Sequence, residues 1–71
     1  MKSKPEFSKL VGERIKKYRM QANLSQEELA DRCGLYRTYI GHLENGRYSP
    51  SAYILWTIAR SLSISVDRLF P

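Results

Sequence analysis

Apolar residues recur along most of this chain at spacings of three and four, the period expected for an α-helix with one buried side. The first such run comprises Phe7, Leu10, Val11, Ile15 and Tyr18. It predicts a first helix over about residues 7–21, with Asn23 as its end signal. Because no segment shows the strict alternation of a strand, the pattern predicts an all-α fold.

A short second helix is predicted between a serine and a glycine. The segment Ser25-Gln26-Glu27-Glu28 is a capping box, in which the Ser25 hydroxyl and the Glu28 side chain satisfy free amides at the helix start. Gly34 ends the helix, because glycine adopts a left-handed conformation at little cost. The residues expected to face inward are Leu29, Ala30 and Cys33.

Three further helices follow. The third is predicted over about residues 36–45 and ends at Asn45-Gly46, with Leu35, Ile40 and Leu43 facing inward. Ser49-Pro50 is predicted to open the fourth, because proline in a first turn loses no hydrogen bond. Its buried stripe comprises Leu55, Ile58, Ala59 and Leu62. Ser65 is expected to cap a last short helix carrying Val66, Leu69 and Phe70.

The excess positive charge lies at one end of the chain. The 71 residues suit one domain, and the net charge of +5 resides entirely within residues 1–20. Residues 1–6 are interpreted as a loose basic arm and residues 7–71 as the folded domain. A basic patch suits a polyanionic partner, although a solvated helix face is the competing interpretation.

Composition argues against several classes of protein. Cys33 is the only cysteine and His42 the only histidine, so neither a disulfide within the chain nor a four-ligand zinc site is expected. Cys33 is interpreted as a small buried apolar residue. No apolar run suits a signal peptide or a membrane span, which favours a cytoplasmic, nucleoid-associated protein. An enzyme, a cofactor and a small-molecule ligand are not expected, because catalytic constellations are missing and the core is small.

Two short helices joined by a turn containing glycine form a helix-turn-helix, whose second helix can enter the major groove of DNA. The chain resembles the lambda-repressor/Cro-like helix-turn-helix family in residues 24–30, Gly34-Leu35, Ile40, residues 43–46, Pro50-Ser51, Ile58-Ala59 and residues 65–67. Residues 37–40, Arg-Thr-Tyr-Ile, are also similar to the small controller proteins of restriction–modification systems. The resemblance implies a compact five-helix domain that binds operator DNA as a two-fold dimer, with the third helix as recognition helix.

The outward face of the third helix carries the candidate base readers. Arg37 can bond O6 and N7 of guanine together, and Thr38 can offer a hydroxyl to a base or a methyl to thymine. The other candidate DNA contacts are Gln26, Tyr36, Tyr39, His42, Asn45 and Arg47. Gln26 stands where the family matches place a phosphate contact, at a helix N-terminus that favours anions.

Two positions on this helix stay open. Tyr39 suits either a DNA contact or packing between the second and third helices. Gly41 lies within the helix, where glycine costs about 1 kcal/mol relative to alanine. Either the backbone approaches DNA there, or a bulky residue such as Tyr18 or Tyr39 needs the space.

Two further pairs have structural interpretations. The resemblance implies an ion pair between Arg19 and Glu44, and two independent surface charges are the alternative. Tyr53 and Trp56 lie outside the buried stripe of the fourth helix, and aromatic residues are enriched at interfaces. They predict a homodimer interface built from the fourth helix and the chain end, unless Trp56 covers the small core.

These features together predict a bacterial or phage transcription regulator that binds double-stranded DNA in a sequence-specific manner. The alternative is a protein-interaction module, such as an antitoxin, that uses the same fold, because a fold does not determine function.

Overall fold

The computed structural model describes residues 3–71, which form four α-helices and a 3-10 turn. The helices are α1 (Lys4–Gln21), α2 (Gln26–Cys33), α3 (Arg37–Glu44) and α4 (Ala52–Ser61), and the 3-10 turn is Val66–Leu69. No strand occurs within residues 3–71, which confirms the all-α prediction. None of these helices has the length and apolarity needed to span a membrane.

The predicted last short helix is present but is a single 3-10 turn of four residues, Val66–Leu69, so the fold has four α-helices and this turn rather than five α-helices. The Ser65 hydroxyl donates to the Asp67 carboxylate and does not cap a backbone amide. Phe70 then adopts an extended conformation, with φ −85° and ψ 137°, which ends the turn. Without a cap and with so few residues, an α-helix has too few hydrogen bonds to form.

Helix α1 begins three residues earlier than predicted. The Ser3 hydroxyl accepts the Glu6 amide at 3.3 Å, and Pro5 occupies the first turn, where it suits the helix. Residues 4–6 are therefore helical and do not form a loose arm, while Met1 and Lys2 lie outside the described residues. At the other end, Asn23 has φ 58°, the left-handed conformation expected of an end signal.

Helix α2 has both of its predicted boundaries. The Ser25 hydroxyl accepts the Glu28 amide at 3.0 Å, and the Glu28 carboxylate accepts the Ser25 amide at 2.9 Å. The Ser25 amide and hydroxyl hold the pKa of Glu28 below its usual value. Gly34 ends the helix with φ 68°, which confirms the capping box and the glycine stop.

Helix α4 begins later than predicted. Ser51 caps it by accepting the Ile54 amide at 3.2 Å, and Pro50 is buried just before the cap. The prediction that Ser49 opens this helix is therefore wrong. The reason is that Ser51 has the extended N-cap conformation, with φ −69° and ψ 164°, and places its hydroxyl against the Ile54 amide.

The core gathers apolar residues from every element. Its buried members are Val11, Ile15, Leu24, Leu29, Ala30, Ile40, Leu43, Leu55, Ile58, Ala59, Leu62 and Leu69. Cys33 and Leu35, both predicted to face inward, are only half-buried at its edge. Burial raises the pKa of the Cys33 thiol, which donates to the Ser61 hydroxyl at 3.3 Å.

Helix α3 packs between α1 and α2, and two glycines set its distance from α1. A Cβ atom at Gly12 would clash with the Leu43 carbonyl oxygen, because it would lie closer than any side chain tolerates. Gly46 has φ 75°, and a Cβ atom there would lie 2.9 Å from Cα of Lys9. The end of α3 is therefore pressed against α1 by backbone-to-backbone contact that only glycine permits.

Candidate nucleic-acid interface

A three-residue turn positions α3 relative to α2. The Gly34 and Leu35 amides donate to the Asp31 and Ala30 carbonyls at 3.3 and 2.9 Å. Tyr36 then takes an extended conformation, with φ −80° and ψ 145°, and starts α3 without a side-chain cap. The turn therefore leaves the beginning of α3 at the surface.

The buried and exposed residues of α3 fall on opposite faces. Ile40, Leu43 and Glu44 are buried. The exposed predicted readers are Tyr36, Arg37, Thr38, Asn45 and Arg47, with Tyr39 and His42 half-buried. Tyr36 is 84% exposed, and Arg37 and Thr38 after it are exposed as well, so the start of α3 is accessible to a partner.

Arg37 has an ionic partner on α2. Its Nη1 lies 3.8 Å from Oε2 of Glu27, and the two side chains are 68% and 67% exposed. An exposed pair at this distance contributes about 1 kcal/mol or less to stability. Arg37 is thus oriented loosely and can still reach outward.

A buried polar network joins α1, α2 and α3. Arg19 donates to Glu44 through Nε at 2.7 Å and Nη2 at 3.1 Å, and to the Leu24 carbonyl through Nη1 at 2.7 Å. The hydrogen bond to Glu44 raises the pKa of Arg19. The two residues therefore form a buried, bidentate ion pair, and the alternative of independent surface charges is wrong.

Gln26 also belongs to this network. Its side-chain amide donates to Oε1 of Glu44 at 3.1 Å, and the side chain is partly buried. Gln26 thus points toward the network as well as standing at the start of α2. A Cβ atom at Gly41 would lie 3.6 Å from Oε1 of Gln26, an ordinary contact. Neither Tyr18 nor Tyr39 occupies the space beside Gly41.

Three aromatic rings cluster where α3 ends. Tyr48 stacks on Tyr39, with ring centroids 5.9 Å apart, and meets His42 edge to face at 5.3 Å. Tyr39 also packs against the core. Its principal aromatic neighbour is therefore Tyr48, after α3, and sequence reasoning did not foresee this cluster.

A second aromatic surface lies on α4. The guanidinium of Arg60 lies 4.7 Å from the ring centre of Trp56, and Tyr53 lies 6.1 Å from the same ring. Tyr53 is 69% exposed and Trp56 48%. Trp56 therefore lies on the surface, and the alternative that it covers the core is wrong.

Sequence reasoning missed the residues that fix α3 in place. Gly12 gave a signal, because a glycine inside a helical pattern often marks close packing. The residue it meets, Leu43, could not be read from the pattern. The contact between Glu27 and Arg37 was missed for the same reason, since it joins separate helices.

Comparison with known proteins places the chain in a family. Residues 15–69 match the family model described as helix-turn-helix. The chain belongs to the helix-turn-helix family. The control protein C.SmaI of Serratia marcescens is 38% identical over 64 residues, which cover 90% of this chain and 76% of that protein. The predicted resemblance to controller proteins is thereby confirmed.

Two solved structures resemble most of this fold. The restriction-modification controller protein C.AhdI from Aeromonas hydrophila has a TM-score of 0.86 and 35% identity, over 89% of this chain and 96% of that one. SinR, described as the master regulator for biofilm formation, was solved in complex with DNA. It has a TM-score of 0.79 and 33% identity, over 83% of this chain and 95% of that one.

Proposed function

We propose that this chain is a transcription regulator that binds double-stranded DNA in a sequence-specific manner, with α3 reading the major groove. The observation that carries the proposal is the exposed polar start of α3, where Arg37 and Thr38 follow a turn of helix-turn-helix geometry. A recognition helix reads bases chiefly with its N-terminal residues. The relatives named controller, and the regulator solved with DNA, support the same function.

In this proposal six of the candidate residues divide into two groups. Arg37, Thr38 and His42 contact base edges, and Arg37 takes guanine because its planar fork fits O6 and N7. Tyr36, Asn45 and Arg47 flank them and hold phosphates of the backbone. Gln26 reaches a phosphate only with the part of its amide that Glu44 does not engage.

We also propose that the protein binds its operator as a homodimer, with Tyr53 and Trp56 of α4 at the interface. A two-fold dimer presents the same surface twice, so its two recognition helices meet half-sites about 34 Å apart. Sedimentation with and without operator DNA tests this assembly. A monomer under both conditions at high micromolar concentration contradicts it.

A second candidate function is a protein-interaction module. The aromatic cluster of Tyr39, His42 and Tyr48 favours it, because aromatic residues are enriched at protein interfaces. The exposed arginine and threonine at the start of α3 favour DNA instead. Selection of binding sites from random duplexes separates the two, since an interaction module enriches no sequence.

Arg37 provides the sharpest test of base reading. A bidentate contact to guanine contributes about 1–3 kcal/mol of discrimination, or about 5- to 150-fold. Arg37→Ala should remove this preference at one base pair per half-site and weaken non-specific binding only by the few-fold effect of one lost charge, because other groups hold the phosphates. Arg37→Lys should recover only part of it, since lysine has no planar fork.

The measurement is a binding titration against every single-base variant of the selected site. Arg32→Ala is the matched control, because Arg32 is an exposed arginine near the end of α2 and does not lie on α3. If Arg37→Ala weakens binding equally at all sites, then Arg37 holds a phosphate. If it changes nothing, α3 is not the reading helix.

A further inference from the structure

The start of α2 and the start of α3 meet through opposite charges. Glu27 is the second residue of α2, and Arg37 is the first residue of α3. The 3.8 Å between Nη1 of Arg37 and Oε2 of Glu27 exceeds the usual length of a hydrogen bond. The carboxylate therefore restrains the guanidinium by charge and leaves its hydrogen-bond donors free.

Among the charged residues around this pair, Glu27 is the one positioned to interact with Arg37. The concave surface between α2 and α3 is also lined by Arg19, Glu28 and Asp31. Arg19 is bound to Glu44, and Glu28 accepts the amide of its own helix cap. Asp31 forms no ion pair with Arg37, whereas the Glu27 carboxylate lies 3.8 Å from Nη1 of Arg37, the residue proposed to read guanine.

We propose that Glu27 is a positioning residue that sets the sequence specificity of Arg37; this rests on the proposed function. A guanidinium has five N–H donors in a planar fork, so one edge can face Glu27 while another faces a base. Near DNA, an unrestrained arginine is attracted to the nearest phosphate, a contact that carries no sequence information. Glu27 competes with phosphates for Arg37 and favours its reaching the base.

The same carboxylate carries a cost for binding in general. Glu27 stands at the end of α2 that faces the DNA backbone in the proposed complex, so its charge repels every DNA sequence alike. Specificity is a difference of affinities, and a group that weakens the wrong complexes more than the right one increases it. Glu27 therefore lowers non-specific affinity and raises discrimination at the base pair that Arg37 reads.

The experiment separates the effect of the negative charge of Glu27 from the effect of its side-chain length. The titrations use the selected operator, its variants at the Arg37 base pair and a non-specific duplex. Glu27→Gln should strengthen non-specific binding and reduce discrimination at that base pair, each by about two- to five-fold, the range of an exposed ion pair. Glu27→Asp keeps the charge but is one methylene shorter, so it should reduce discrimination without strengthening non-specific binding.

Asp31→Asn is the matched control, because it removes one exposed negative charge from the same helix and leaves the Glu27–Arg37 pair intact. It should strengthen binding by the same factor on every duplex. In an Arg37→Ala background, Glu27→Gln should no longer affect discrimination. Thermal melting of each variant shows that it is folded.

Two results overturn the inference. If Glu27→Gln strengthens binding to every duplex by the same factor, as Asp31→Asn is expected to do, then Glu27 is only a repulsive surface charge. If its effect on discrimination persists without Arg37, it does not act through Arg37. Failure of the proposed function gives a different result, because the unmodified protein then shows no sequence preference at all.

Discussion

Replacing Arg19 with alanine leaves a carboxylate stranded inside the protein. The Glu44 side chain is 2% exposed and accepts two hydrogen bonds from Arg19 and one from Gln26. Without Arg19, only the Gln26 amide remains to offset the buried charge, and the Leu24 carbonyl loses its donor at 2.7 Å. Breaking a buried pair in this way costs about 3–5 kcal/mol.

This cost is large against the stability of so small a domain. At about 0.05–0.15 kcal/mol per residue, a chain of 71 residues has a free energy of unfolding of about 4–11 kcal/mol. Glu44→Ala should cost less than Arg19→Ala, because the remaining guanidinium keeps its hydrogen bond to the Leu24 carbonyl and its side chain is 11% exposed, against 2% for Glu44, so water can reach it. Arg19→Met with Glu44→Leu removes both charges, so the double variant should be more stable than either single one.

Urea unfolding followed by circular dichroism measures these differences. With a slope of about 1 kcal/mol per molar urea and a cost of about 3–5 kcal/mol, Arg19→Ala should lower the midpoint by about 3–5 M or leave the chain unfolded. Arg37→Ala is the control, because its exposed pair is worth about 1 kcal/mol or less. A midpoint within 0.5 M of the unmodified protein for Arg19→Ala, or a double variant as unstable as the sum of the singles, refutes the reasoning.

The pH dependence of this pair can also be stated. Glu44 raises the pKa of Arg19 above its usual value. A raised pKa in the folded state means that the stabilisation is fully present below the unfolded pKa and is lost only as pH rises through the folded one. Because arginine titrates far above neutrality, Arg19 should contribute equally from about pH 6 to pH 10. Urea midpoints across that range check it.

Four further outcomes follow from the structure. Gly12→Ala should lower the free energy of unfolding by about 3 kcal/mol or more, because the new Cβ atom meets a backbone oxygen of α3. Gly41→Ala makes only ordinary contacts, so in the same urea assay it should be neutral or stabilise the protein by about 1 kcal/mol. Lys16 and Lys17 are exposed and lie in the basic part of the chain, so Lys16→Gln with Lys17→Gln should weaken binding to all duplexes alike and reduce the salt slope by about 2 for each protomer bound. The pKa of Glu28 is lowered in the folded protein, so the stabilisation it provides is present above its unfolded pKa and is lost as the pH falls through its folded pKa. The melting temperatures of Glu28→Ala and of the unmodified protein should therefore differ near neutral pH and converge in acid.

Local signals in the sequence were enough to locate the helix-turn-helix. They did not predict contacts between residues that are far apart in the sequence. The capping box at Ser25 and the stop at Gly34 depend on neighbours within four residues, so the boundaries of α2 were predictable. The start of α4 was predicted at the wrong serine, because Ser49 and Ser51 both precede a helical pattern. Only the three-dimensional position of the Ile54 amide decides between them.

The candidate site divides in the same way. Exposure of Arg37 and Thr38 follows from the helical period of Ile40 and Leu43, so the outward face of α3 was predictable. The ion pair of Arg19 and Glu44 came from family resemblance, since no local rule joins residues that far apart. The inward hydrogen bond of Gln26 and the aromatic cluster around Tyr48 depend on how α1, α2 and α3 pack, which periodicity does not specify.

The buried network of Arg19, Glu44 and Gln26 should affect DNA binding as well as stability, because it fixes the orientation of α3. Arg19, Glu44 and Gln26 join α1, α3 and α2 through directional hydrogen bonds, whereas an apolar replacement would hold the helices without fixing their angles. The double variant Arg19→Met with Glu44→Leu should therefore remain folded. It should nevertheless discriminate the operator from its single-base variants less well, because Arg37 stands at the start of α3 and the orientation of α3 is no longer fixed by these hydrogen bonds. Titration of this variant beside its urea midpoint measures both quantities. Full discrimination in a stably folded double variant shows instead that packing around Ile40 and Leu43 suffices to orient α3.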